Sequence, residues 1–151
     1  MATNRPNERA IFDTWIAGYE ARDVAKVMSI FDTDIQYHAP CQPVQDFASL
    51  ESWFDYDFGR KEPRPTWTYK IESLDVSGDL AVIVSRWSGV TNFDGFSANL
   101  ERVRSIDFLR FGDGGWKIFR TINDPEHCGN APKLVKTKIK DKKDKKRSKK
   151  R

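Results

Sequence analysis

The stretch from Ser105 to Pro125, SIDFLRFGDGGWKIFRTINDP, limits the fold of this chain more than any other. Two apolar runs rich in strand-forming residues flank Gly112-Asp113-Gly114-Gly115, so the segment is expected to fold as a β-hairpin. Asp107 lies inside the first of its strands. A carboxyl in a half-buried strand must be neutralised, hydrogen-bonded or put to chemical use.

The residues before the hairpin have a different texture. From Glu8 to Ala21, the residues Ile11, Phe12, Trp15, Ile16 and Tyr19 recur at helical spacing, and Asn7 is placed to cap such a helix. Asp23 is a cap for a second, short helix carrying Val24, Val27, Met28 and Phe31. Asp32 to Asp34 break that pattern, and Ile35 to Ala39 read as a short strand ending at Pro40. Asp46 begins a third helix with Leu50, Trp53, Phe54 and Phe58 on one side, stopped by Gly59, Pro63 and Pro65. Beyond Pro65 strands follow: Trp67 to Ile71, Leu80 to Trp87, and a long one from about Ser97 to Phe111. Turn compositions at Asp75–Asp79 and Asn92–Gly95 separate them. Three helices followed by an antiparallel meander make an α+β chain, with the helices covering one face of the sheet.

Charge divides the chain in two. Residues 1–132 hold fourteen Lys+Arg against twenty Asp+Glu, a balance of −6, whereas residues 133–151 hold twelve against two, a balance of +10. The domain is therefore expected to span 1–132. The Lys-rich tail 133–151 has too little apolar surface to offset its ordering entropy and is expected to be disordered. An acidic body argues against a nucleic-acid-reading surface. The tail contains basic clusters at Lys142–Arg147 and Lys149–Arg151 that resemble nuclear localisation sequences, and it suits a nuclear import receptor or a polyanion. It also has the composition of a plain solubilising tail. No stretch approaches the roughly 20 apolar residues of a membrane span, and two cysteines, Cys41 and Cys128, are too few for a disulfide framework. A soluble protein of the cytoplasm, or of the nucleus if the tail is read, is the expectation.

The segments AIFDTWIAGYEARDVAKVMSIFDTDIQYHAP, LESWF and SIDFLRFGDGGWKIF, in this order and spacing, resemble the nuclear transport factor 2-like superfamily. The nearest branch contains ketosteroid isomerase and the SnoaL-like cyclases. The resemblance covers roughly residues 8–125. It implies a curved antiparallel sheet wrapped by three N-terminal helices into a cone around an internal apolar cavity, and often a homodimer. It also implies chemistry without a cofactor. In ketosteroid isomerase a carboxylate base works with a tyrosine and a protonated aspartic acid that bind an oxyanion. By similarity Asp107 falls at that aspartic acid, Trp15 at the tyrosine and Ala39 at the base; Ala39 has no proton acceptor.

Asp107 is thus the first candidate for acid–base work, with a structural ion pair to Arg104, Arg110 or Arg120 as the alternative. His38 is the candidate for the missing partner, since imidazole titrates near neutrality, although strict alternation points it opposite to Ala39. Asn123 and Asp124 are placed for the cavity rim or for an ordinary turn. Trp15, Tyr19, Trp53, Tyr56, Trp67 and Trp87 suit the walls of an aromatic cavity for a flat apolar ligand, or a plain core. His38, Cys41, His127 and Cys128 match no structural-zinc spacing, and no phosphate-cradling loop, nucleophile elbow or dinucleotide fingerprint occurs, so neither metal nor cofactor is expected.

The expected function is a SnoaL-like enzyme moving a proton on a small, mostly apolar molecule: an isomerase, cyclase, dehydratase or epoxide hydrolase. Asp107 and His38 would be its reactive groups, with Trp15, Tyr19, Trp53, Trp87 and Asn123 holding the substrate. The alternative is a non-catalytic ligand-binding or dimerisation module with a basic targeting tail. An open, polar-tipped cavity favours the first; a cavity filled by Trp15, Trp53 and Trp87 favours the second.

Overall fold

Two aspartates start helices as the sequence anticipates. Asp23 accepts from the Lys26 N–H and opens α2 (Val24–Met28), and Asp46 accepts from the Ser49 N–H and opens α3 (Phe47–Gly59). Asn7 does not cap α1 (Ala10–Ala21): it lies two residues before the N-cap position, which belongs to Arg9, and its side chain accepts from the Arg9 N–H. This computed structural model of the chain describes residues 7–39, 42–123 and 135–138.

The remaining elements are strands: β1 (Phe31–His38), β2 (Thr66–Ser77), β3 (Leu80–Phe93), β4 (Phe96–Gly112), β5 (Gly115–Asn123) and β6 (Val135–Lys138). They form one curved, unclosed sheet in the order β1-β5-β4-β3-β2, with β6 on β4. The meander β2 to β5 is antiparallel throughout, and β1 adds to β5 in parallel. Its three turns each use two residues, Gly78-Asp79, Asp94-Gly95 and Asp113-Gly114, closing on the pairs Ser77–Leu80, Phe93–Phe96 and Gly112–Gly115. Gly78 and Gly95 take positive φ there, which a side chain would resist.

Two boundaries differ from the sequence reading. The strand expected from Ile35 begins at Phe31, because pairing with β5 at Ile118 draws Phe31–Asp34 into the sheet despite their polarity. Within the stretch 133–151, expected to be disordered, Val135–Lys138 form β6 on Phe96–Asn99 of β4. β4 outruns β5, which pairs it only from Ser105 to Gly112, so its far half offers an unfilled edge. Strand addition there uses backbone groups and needs no apolar side chains.

The helices pack on one face of the sheet. Phe12 and Tyr19 from α1, Leu50, Phe54 and Phe58 from α3, and Ile83, Leu109 and Ile118 from the strands join one core. α2 folds back closely on α1, since a Cβ on Gly18 would stand 2.9 Å from the Val27 backbone nitrogen. Among the described residues no helix is long and apolar enough to cross a membrane.

Candidate active site

Two rows of side chains, each running across several strands, place polar groups on the helix-covered face. The pairings Ile83–Asp107, Asp107–Thr121 and Tyr37–Thr121 align Ile83, Asp107, Thr121 and Tyr37 from β3 to β1. The next row of the same face is Ser85, Ser105 and Asn123. Residues opposite one another on paired strands share a face, so six polar residues from four strands converge.

Asp107 is 4% exposed. Thr121 Oγ1 donates to its Oδ1 at 2.7 Å, and Ser105 Oγ donates to its Oδ2 at 3.1 Å. Burial pushes the carboxyl up to about 6, while the two hydroxyls pull the other way. The expected arginine partners are elsewhere: Arg104 reaches Glu72, Arg110 binds Asp32 and Asp34, and Arg120 is exposed opposite Phe108.

A β-bulge keeps Arg120 away. Counting from the Gly112–Gly115 pair, the register runs Phe111–Trp116, Arg110–Lys117 and Leu109–Ile118, then continues as Phe108–Arg120 and Asp107–Thr121. Phe119 is the extra residue. Had the register run on unbroken, Phe119 would pair with Phe108 and Arg120 with Asp107; with the bulge the partner of Asp107 is a threonine.

Tyr37 is the neighbour that the sequence reading overlooked. Its hydroxyl accepts from Asn123 Nδ2 at 2.9 Å, and burial, reinforced by the nearby Asp107 carboxylate, raises its pKa. The backbone of Tyr37 is held on both edges, by Gln45 on one side and by the pairing with β5 on the other. The alternation of Ile35 and Tyr37 with Gln36 and His38 carried the signal: a buried Ile35 puts Tyr37 inside.

Tyr37, Ser105, Asp107, Thr121 and Asn123 form the polar end of a cavity of about 260 Å³, whose other walls are largely aromatic. α1 supplies Phe12, Trp15 and Tyr19, α3 supplies Trp53 and Phe54, and the sheet supplies Trp67 and Trp87. Trp15 stacks on Tyr19 with centroids 5.0 Å apart and meets Trp87 edge-on at 5.4 Å. Trp87 Nε1 donates to the buried Ser85 hydroxyl at 3.0 Å, so its polar atom is already satisfied. Among the described residues the buried Trp67 indole N–H makes no hydrogen bond of good geometry. Burial, above all, raises the pKa of the Tyr19 hydroxyl.

The SnoaL-like domain family matches residues 12–120. The chain belongs to that family. Solved structures agree on the fold. A calcium/calmodulin-dependent protein kinase type II association domain, as that protein is described, from Thiobacillus denitrificans superposes with a TM-score of 0.66 at 18% identity, covering 80% of this chain and 96% of that one. A nuclear transport factor 2-like protein of unknown function from Shewanella oneidensis gives 0.63 at 12% identity, covering 76% and 93%. A ketosteroid isomerase-like protein from Erwinia carotovora gives 0.57 at 16%, covering 76% and 90%. No curated protein matches in sequence.

In this SnoaL-like domain Asp107, Trp15, Tyr19, Trp53, Trp87 and Asn123 meet at one cavity. Trp53 lies at its mouth, 48% exposed. His38 does not line the cavity: it pairs with Ile122 and shares the row of Ile106 and Val84, which alternation turns to the opposite sheet face. Tyr56 is a correction. It is 69% exposed, because Leu50, Phe54 and Phe58 define the inward stripe of α3 and Tyr56 sits about 200° around the helix from Phe54. Among the described residues no cluster could hold a metal ion; Cys41, Asp124, His127 and Cys128 lie outside them.

Proposed function

We propose that this SnoaL-like protein is a cofactor-independent enzyme that moves a proton on a small, mostly apolar molecule, with Asp107 as the group that takes and returns it. The single observation that carries this reading is a buried carboxyl in an aromatic cavity, held by two hydroxyls and, among the described residues, by no cation. A carboxyl titrating near 6 is largely ionised at neutral pH yet basic enough to accept a proton, which is the balance general-base catalysis requires. The aromatic walls exclude water and orient a flat substrate. His38 has less support as its partner than a residue of the cavity lining.

Size narrows the substrate. An apolar cavity of about 150 Å³ accommodates benzene, so 260 Å³ suits a molecule of about two rings. Isomerisation, cyclisation, dehydration and epoxide opening all fit such a site. Screening small neutral ketones, enones and epoxides for turnover or for solvent-proton exchange tests the reading. Asp107→Asn should then lower the rate by at least about a hundredfold, and a folded variant with full activity would sink the assignment.

The same reading takes the protein as a homodimer. Val82, Val84, Ile106, Phe108 and Ile122 are only partly buried and alternate onto the sheet face opposite the cavity, which suits a second copy. Sedimentation at several concentrations tests it, and a strict monomer refutes it. The basic stretch 139–151 is proposed as a tether to a nuclear import receptor or a polyanion. Unchanged cellular distribution after its deletion removes that role.

A further inference from the structure

We infer that the tip of the β3–β4 hairpin and the basic stretch 139–151 form one docking surface, and that its partner is the face of a bilayer containing anionic lipid. The inference rests on reading that stretch as a tether to a polyanion; it names the polyanion and adds a second contact.

β6 runs antiparallel to β4, and its last residue, Lys138, pairs with Phe96. Phe96 is the first residue of β4 and closes the Asp94-Gly95 turn on Phe93. The chain therefore leaves β6 beside that turn. The thirteen residues that follow, 139–151, hold nine Lys+Arg against two Asp, a balance of +7. Strand pairing thus starts the most basic stretch of the sequence at one particular end of the sheet.

The same end carries apolar surface. β2 pairs β3 no further than Val90 and β5 pairs β4 no further than Ser105, so the residues about the turn project past both, with β6 alongside. Phe93 and Phe96 stack there with ring centroids 4.9 Å apart and an interplanar angle of 16°. Ser97 Oγ donates to Asn92 Oδ1 at 2.8 Å across the next pair of the ladder and braces the tip. Phe93 is still 38% exposed. An apolar projection beside a polybasic segment supplies the two signals that attachment to a membrane surface needs, since either alone binds weakly. Nucleic acid fits this end less well. The two rings are turned toward each other, which leaves less ring face for bases to stack on, and residues 1–132 carry −6, which opposes a polyanion lying along the domain. A bilayer meets only the projecting end, and charge further than roughly 8 Å from it is largely screened at physiological salt.

The test is cosedimentation of the full-length protein with vesicles of pure phosphatidylcholine and of phosphatidylcholine mixed with phosphatidylserine. The protein should bind the mixed vesicles and leave the pure ones in suspension. Deleting 139–151 should lower the affinity at least about a hundredfold. Phe93→Ser should lower it about tenfold while leaving the circular dichroism spectrum unchanged. Asp94→Asn keeps a turn-forming residue and removes an acidic group from the tip, so it should raise the affinity about fivefold. A folded Phe93→Ser variant that binds as the wild type does overturns the inference and leaves the tail as a plain polyanion tether. Binding that survives the deletion undiminished overturns both readings. Failure to bind the mixed vesicles overturns the inference as well, and capture of a single-stranded RNA in their place would make nucleic acid the polyanion.

Discussion

Thr121 Oγ1 lies 2.7 Å from Asp107 Oδ1 because one extra residue, Phe119, shifts β5 by a single position against β4. The hydroxyl stands where an unbulged hairpin would put Arg120. A neutral donor leaves the carboxyl titrating near 6; a guanidinium would have held it well below its ordinary range.

Thr121→Val keeps the shape of the side chain and removes its donor. The Asp107 pKa should rise further above 6, by about one unit, the value of one charge-assisted hydrogen bond. Carbon-detected NMR of the labelled carboxyl measures it. An unchanged midpoint would mean that Ser105 alone sets the environment.

Stability should fall as pH rises through the same range. In the folded protein Asp107 keeps its proton to about 6, against 3.8 ordinarily, so between these values the folded state binds more protons than the unfolded. The stabilising contribution is complete below 3.8 and gone above 6, and its size is about 3 kcal/mol at ~1.4 kcal/mol per unit. Asp107→Asn has no carboxyl to ionise. It should therefore be more stable than the wild type near neutral pH, by about 1–3 kcal/mol, with a flatter profile in acid. Urea denaturation at a series of pH values decides the matter, and parallel profiles for the two proteins would refute the expectation.

Thr121→Arg puts a guanidinium opposite Asp107, where an unbulged register would put Arg120. The carboxyl pKa should then drop below 3.8, and exchange activity should disappear with it. A folded Thr121→Arg variant whose carboxyl still titrates near 6 would show that the residue opposite Asp107 does not govern its charge.

Gly18→Ala probes the fold away from the chemistry. The added methyl would meet the Val27 backbone nitrogen and Cγ2, each at 2.9 Å, and backbone cannot step aside as a flexible side chain can. Such overpacking costs about 1–3 kcal/mol. A thermal melt checks it; an unchanged or higher midpoint would mean that α2 moves freely from α1.

Much of this protein can be read along the chain because the forces concerned act over a few residues. Asp23 and Asp46 reach N–H groups three positions ahead, and the glycine-containing pairs at 78–79, 94–95 and 113–114 close their own hairpins. Helical spacing places Phe12, Trp15 and Tyr19 on one side of α1. These local signals, in their order, are enough for the SnoaL-like domain, its aromatic cavity and an acid inside a strand.

What surrounds that acid was decided only in three dimensions. Tyr37 and Asn123 are bonded across 86 positions of sequence because β1 joins β5 in parallel, a pairing that no local pattern encodes. The bulge at Phe119 has no turn residue to announce it, yet it exchanges an arginine for a threonine beside Asp107. Side-chain direction in a sheet has a period of two, so one inserted residue reverses every face beyond it. The sequence alone determined that a carboxyl lies inside a strand of a cavity-forming fold, whereas the register of the strands decided that it faces the cavity and meets two hydroxyls and a phenol in place of a positive charge.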